Sequence, residues 1–335
     1  MRFLLLPLLA VLSVHAHKAT TPPAGAVIVR PNTTVPGEFP DLGSAINALP
    51  ADNSSQTVFV FPGLYVGQVN VSRPGPVTIR GYTEHALNYA HNTVTLLHNA
   101  SLATGAGSDD RTGTLRVLSA NVSLYNLNIV NNFGVALTNG QAIALSAQAD
   151  RMGVYACGLF SYQDTLYTNV GNHIFLKSYI EGAVDYIFGR HSIAYFQGNT
   201  LASRGSGCIT ASGRQLNDSG IYLFEDNKVI AAADAFSNVT DHVFLGRPWG
   251  NWARVIFKNT DIQAPMNNTI WSIWNVGNAN TDFVDYAEYN SFGPGVENAN
   301  RPNFSTIITK KEAAGYTLQS IIPSWADWVD SKYVH

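Results

Sequence analysis

Charge is scarce in this chain. Only 13% of its 335 residues are Asp, Glu, Lys or Arg, about half the ~25% usual for soluble domains. The 20 Lys and Arg stand against 23 Asp and Glu, a net charge of −3. No basic surplus exists to neutralise a phosphate backbone, so nucleic acid is not an expected partner. Cysteine is scarcer still, with only Cys157 and Cys208, which excludes a disulfide-dense scaffold. Several catalytic signatures are missing as well. There is no G-x-S-x-G serine elbow, no G-x-x-x-x-G-K-[ST] phosphate loop, no H-E-x-x-H and no paired C-x-x-C. These absences exclude that serine-elbow, phosphate-loop and zinc chemistry, and neither a metal nor a cofactor is expected. Past the amino terminus no apolar run approaches the ~20 residues that span a bilayer, so no membrane partner is expected either.

What is abundant is apolar and aromatic. Hydrophobic residues make up 46%, with 16 Phe, 15 Tyr and 6 Trp, a composition that excludes disorder. Met1-Arg2, the apolar run Phe3 to Val14 and the small-residue site Val14-His15-Ala16 describe a secretory signal over residues 1–16. Nine N-x-S/T sequons, at Asn32, Asn53, Asn70, Asn99, Asn121, Asn217, Asn238, Asn267 and Asn303, fit a secreted glycoprotein. Residues 17–335 are expected to form one domain, because long all-β folds exceed the usual domain size.

Helical periodicity is nearly absent. Short runs rich in Val, Ile, Phe and Thr, such as Val58-Phe61, Val77-Ile79, Leu115-Leu118 and Val255-Phe257, are separated by Gly, Asn, Pro and Ser, the pattern of strands and turns. One helix is expected, over Asp41 to Leu49, with apolar residues at 42, 45, 46 and 49, Asp41 as cap and Pro50 as stop. Beneath the strands lies a repeat, apolar-x-x-small/polar-x-apolar, starting at Leu124, Val154, Phe175, Phe196, Phe224 and Phe257. Starts 30, 21, 21, 28 and 33 residues apart suit a solenoid. The expected fold is all-β, a right-handed parallel β-helix whose coils stack ~4.8 Å apart, with a short amino-terminal helix capping its open end. A β-sandwich is the alternative. In the β-helix Cys157 and Cys208 fall about two coils apart, nearly 10 Å and beyond disulfide reach, so both thiols are expected to be free and buried.

Three polar phrases recur at nearly the same period: Gln141 to Leu145, Gln163-Asp164-Thr165-Leu166 and Asp185 to Gly189. Gln141 and Gln163 are 22 residues apart, Asp164 and Asp185 are 21. On stacked coils these side chains share one face, and the two carboxylates come within ~5 Å. Like charges that close separate in pKa, giving an ion beside an acid.

With Leu245-Gly246-Arg247-Pro248-Trp249, these phrases resemble, in order and spacing, the signatures of the pectin methylesterases (pectinesterases). The resemblance runs from about Asn32 to Val329 and includes Gly63-Leu64-Tyr65, Ile209 to Arg214 and Ser324-Trp325. That family's parallel β-helix agrees with the fold read from the repeats. The resemblance implies a secreted, monomeric ester hydrolase acting on methyl-esterified homogalacturonan. It implies Asp185 as nucleophile, Asp164 as general acid and then base, and Gln141 and Gln163 as oxyanion donors. Arg247 would pair with Asp185, and Trp249, Trp274 and Tyr186 would offer faces to sugar rings, with Tyr162 as a lesser candidate. The chain departs from the family at Gly67-Gln68, where Glu is usual, at Ser146, where Arg is frequent, and at Tyr186, where Phe is commoner. Two rivals remain. Asn259-Thr260-Asp261 resembles one polygalacturonase motif, though that family's other motifs are missing. A carbohydrate-binding β-helix without activity would not need the Gln-Gln-Asp-Asp-Arg set.

Overall fold

The computed structural model describes residues 17–236 and 239–335. The proposed signal at 1–16 and the sequon at Asn238 lie outside the described residues. The strands form three all-parallel sheets of twelve, eight and seven strands, and successive coils add one strand to each sheet. This is the parallel β-helix, and the β-sandwich alternative is set aside. Among the described residues no helix is long and apolar enough to cross a membrane.

The repeat read from the sequence is a set of stacked columns. Leu124, Val154, Phe175, Phe196, Phe224 and Phe257 pair in register along the first sheet. From Phe175 to Phe257 the four rings stack inside the coil at 4.6, 4.3 and 4.3 Å. Stacked aromatics of this kind add about 0.5–1.5 kcal/mol per pair beyond their buried area. Where each coil turns from the first sheet into the second, the backbone is left-handed: Asn126, Ala156, Lys177, Gly198, Asp226, Asn259 and Asn290 all have φ between 48° and 64°. The residues that follow form a buried polar ladder. Ser178 Oγ accepts from the Cys157 amide at 3.1 Å, Asn199 Oδ1 from the Ser178 amide at 2.8 Å, and Asn227 Oδ1 from the Asn199 amide at 2.9 Å. Thr260 is fully buried in the same column, so Asn259-Thr260-Asp261 is part of a corner of the coil.

The ends are covered differently. At the amino end the helix Leu42–Asn47, capped by Asp41 Oδ1 accepting from the Ser44 amide at 2.8 Å, buries Leu42, Ala45 and Ile46 over the first coil. At the carboxyl end, residues 310–335 run back along the outside of the first sheet. There Leu318, Ile322, Val329 and Tyr333 cover an outward row that includes Tyr125, Tyr155, Ile174 and Leu223. Both cysteines are free and buried, Cys157 at a corner between the first two sheets and Cys208 on the third-sheet strand Gly207–Ser212.

Candidate active site

The chemistry gathers where the second sheet turns into the third. Gln141 bridges to Gln163, and Gln163 to Val184, as isolated parallel pairs. In the third sheet Leu166 pairs with Ile187, so Asp164 and Asp185 occupy the same position one coil apart, about 5 Å by the strand spacing. Both stand in left-handed backbone, φ 65° and 51°, a conformation Asp tolerates better than most residues because its short polar chain bonds locally. Each begins the phrase that enters a third-sheet strand, and the residue three positions on, Tyr167 or Phe188, faces outward in that strand.

Arg247 comes from two coils further along. Its Nε donates to Asp185 Oδ1 at 2.8 Å and its Nη2 to Oδ2 at 2.7 Å, a fork-to-carboxylate pair that fixes both charge and direction. The two aspartates, each 7% exposed, differ in surroundings. Burial pushes Asp164 well above the usual carboxylate range, and the charges of Asp185 and Asp109 push the same way. Burial also raises Asp185, but the Arg247 hydrogen bonds and charge pull it back. The surroundings therefore favour the protonated form more strongly at Asp164, while the guanidinium favours the charged form of Asp185.

Above these groups opens a cleft of about 270 Å³ lined by Asp109, Gln141, Gln163, Asp164, Asp185, Phe188, Ala211, Arg247, Trp249 and Trp274. Gln141 Oε1 is buried without a partner among the described residues. The wall is aromatic: Tyr167 and Phe188 stack at 4.4 Å, Phe188 lies 6.2 Å from Trp249, and Arg247 sits 4.4 Å from the Trp274 ring. Seven of the nine residues expected from the sequence meet here. Tyr186 does not. It has no exposed surface: after the left-handed turn at Asp185, Tyr186 and Ile187 both pack into the core of the coil. Its hydroxyl lies 3.3 Å from Ser203 Oγ in the core, where no sugar can reach it. Tyr162 packs edge-on against Phe236 at 5.4 Å and does not line the cleft. Sequence reasoning missed Phe188, Tyr167 and Asp109. The first two carried a signal, the shared offset of three from an aspartate; Asp109 lies outside the repeats. Among the described residues no cluster of three or more His, Cys, Asp or Glu is arranged to hold a metal ion.

The pectinesterase family model matches residues 27–324. The chain belongs to that family. A pectinesterase of Aspergillus aculeatus is 37% identical over 327 residues, 96% of each chain. The crystal structure of the deglycosylated Aspergillus niger pectin methylesterase superposes with a TM-score of 0.85 at 34% identity, covering 95% of this chain and 100% of the other. The carrot pectin methylesterase shares the fold, with a TM-score of 0.81 at 23% identity over 93% of this chain and 97% of its own. The family so identified is the one the sequence motifs resemble.

Proposed function

We infer that this chain is a secreted ester hydrolase that removes methyl groups from the C6 esters of homogalacturonan, leaving pectate and methanol. The observation that carries the mechanism is the asymmetric aspartate pair facing one cleft: Asp185 held by two nitrogens of the Arg247 fork beside Asp164, whose burial favours the protonated form.

A carboxylate oxygen of Asp185 attacks the ester carbonyl carbon, and the oxygen that becomes negative is met by the side-chain amides of Gln141 and Gln163. Donors of this kind are worth about 3 kcal/mol each. Asp164 gives its proton to the departing methoxide, and methanol leaves an anhydride between Asp185 and the galacturonate. Asp164, now a carboxylate, takes a proton from water, which attacks that anhydride. The second collapse releases the galacturonic acid group, which loses its proton to solvent, and restores Asp185 ionised and Asp164 protonated. Phe188, Trp249 and Trp274 present ring faces to the sugars on either side.

Secretion is supported by the apolar run at 3–14, and glycosylation by the exposure of Asn32, Asn53, Asn70, Asn99, Asn217 and Asn303. The enzyme acts as a monomer. Incubation with highly methylated pectin, assaying methanol and new reducing ends separately, tests the reading. Methanol without reducing ends is expected. Reducing ends alone would mean chain cleavage, and neither would mean a binding module.

A further inference from the structure

We propose that Asp109 sets the substrate preference of this cleft, turning away galacturonate residues already stripped of their methyl group and so favouring stretches still esterified. The inference rests on the esterase reading above.

Asp109 lies on a segment held by several neighbouring groups. Its neighbour Asp110 is paired with Arg116 and accepts from Ser146 Oγ at 2.7 Å. Gln68 Nε2 donates to the Arg111 and Gly113 carbonyls, both at 2.8 Å. The Asp109 carbonyl accepts from the Thr112 amide at 2.9 Å and from Thr112 Oγ1 at 2.7 Å. The backbone is thus pinned at three carbonyls, those of Asp109, Arg111 and Gly113. The Asp109 carboxylate has no hydrogen-bond partner among the described residues, yet it lines the catalytic cleft.

The surrounding charges define what that carboxylate can do. Arg247, the cation inside the cleft, is already committed to Asp185 through two hydrogen bonds. Arg190, the cation nearest Asp109 in effect, rests its guanidinium 3.7 Å from the Trp249 ring. Asp164, Tyr167 and Arg190 are the titratable or charged groups whose fields reach Asp109 or feel it. A methyl ester entering this space is uncharged and meets Phe188 and Ala211. A free carboxylate meets a fixed, unpaired negative charge. Without Asp109, Arg190 would instead attract it. Placing an unpaired like charge against the unwanted ligand is a direct route to selectivity. Burial raises the Asp109 pKa, so the discrimination weakens as pH falls through that raised value.

The test is Asp109→Asn, with Asp109→Ser as a second neutral variant and Asp109→Glu to restore the charge. Each is assayed near neutral pH and low salt for kcat/KM on highly methylated and on half-de-esterified pectin, and for inhibition by polygalacturonate. Both neutral variants should bind polygalacturonate about tenfold tighter and lose a similar factor in preference for the methylated substrate. The Glu variant should regain the preference, and the difference should shrink in high salt. Unchanged selectivity, or loss of rate equal on both substrates, overturns the proposal. So does a shift of the pH–rate curve without a change in selectivity, which would make Asp109 only a tuner of Asp164. Failure of the unaltered protein to release methanol from methylated pectin would instead overturn the esterase reading.

Discussion

Arg247 reaches Asp185 across an alanine. In the third sheet Phe188 pairs with Ala211 and Ala211 with Arg247, so the guanidinium passes back over one small side chain to grip the carboxylate two coils away. A compact ammonium cannot reproduce two parallel bonds to one carboxylate. Arg247→Lys should therefore cut methanol release by roughly 100-fold or more while the melting temperature stays close to that of the parent. Near-normal turnover would show that charge alone suffices.

Asp164 should lower stability at neutral pH. Its folded pKa lies well above the unfolded value, chiefly through burial, so between those two values the folded state binds more protons than the unfolded one. Stability linked to this group is complete below the ordinary aspartate pKa and is lost as pH rises through the raised value. Asp164→Asn mimics the protonated form. It should melt higher than the parent at neutral pH, with the gap closing in acid below about pH 4. A gap that instead grew on acidification would refute the assignment.

The two carboxylates should separate by their response to the leaving group. Asp185→Asn removes the attacking oxygen, whereas Asp164→Asn removes the proton donor and leaves attack possible. An aryl ester that the cleft accepts departs without protonation and should partly rescue the Asp164 variant only. Because the pair acts as a unit, the double variant should be little worse than the poorer single one. Rescue of Asp185→Asn would reverse the roles.

The thiols should be silent until the chain unfolds. Burial pushes Cys157 up to about 12 and Cys208 well above its ordinary value, so neither presents a thiolate near neutrality. A thiol reagent should titrate none rapidly in the native protein and both after denaturation without reductant. Fewer than two in the denatured chain would reveal a disulfide.

Solenoids are legible where their columns repeat. Phe175, Phe196 and Phe224 announce one another because each occupies the same interior place, and Asp164 and Asp185 do so at the site. Arg247 and Trp249 were reached through the resemblance of their motif to a family, since the 62 residues separating Arg247 from Asp185 give no local hint of contact. Tyr186 was misread by its proximity in sequence to Asp185, when the left-handed turn at Asp185 sends the two residues after it into the core. Asp109 had no column to betray it: its segment is irregular, and only three-dimensional packing sets it opposite Asp164. The path of residues 310–335 was equally hidden, being a single passage with no periodicity.

That last passage changes what kind of object the protein is. A bare stack of coils is held by neighbour-to-neighbour contacts and can unravel in steps from either end. Here Lys258 Nζ donates to the Tyr316 carbonyl, the Asp330 amide to Tyr155 Oη at 3.1 Å, Tyr333 Oη to the Ala86 carbonyl at 3.0 Å, and the His335 amide to Gln197 Oε1 at 3.2 Å. The tail is a clasp linking late coils to early ones, over sequence separations as large as 247 residues. Fraying at one end must release a seam running along much of the first sheet, so melting becomes all-or-none where a plain solenoid would peel. Cutting the chain after Gly315 should uncouple the coils and broaden the thermal transition, even though no removed residue lies in the catalytic cleft.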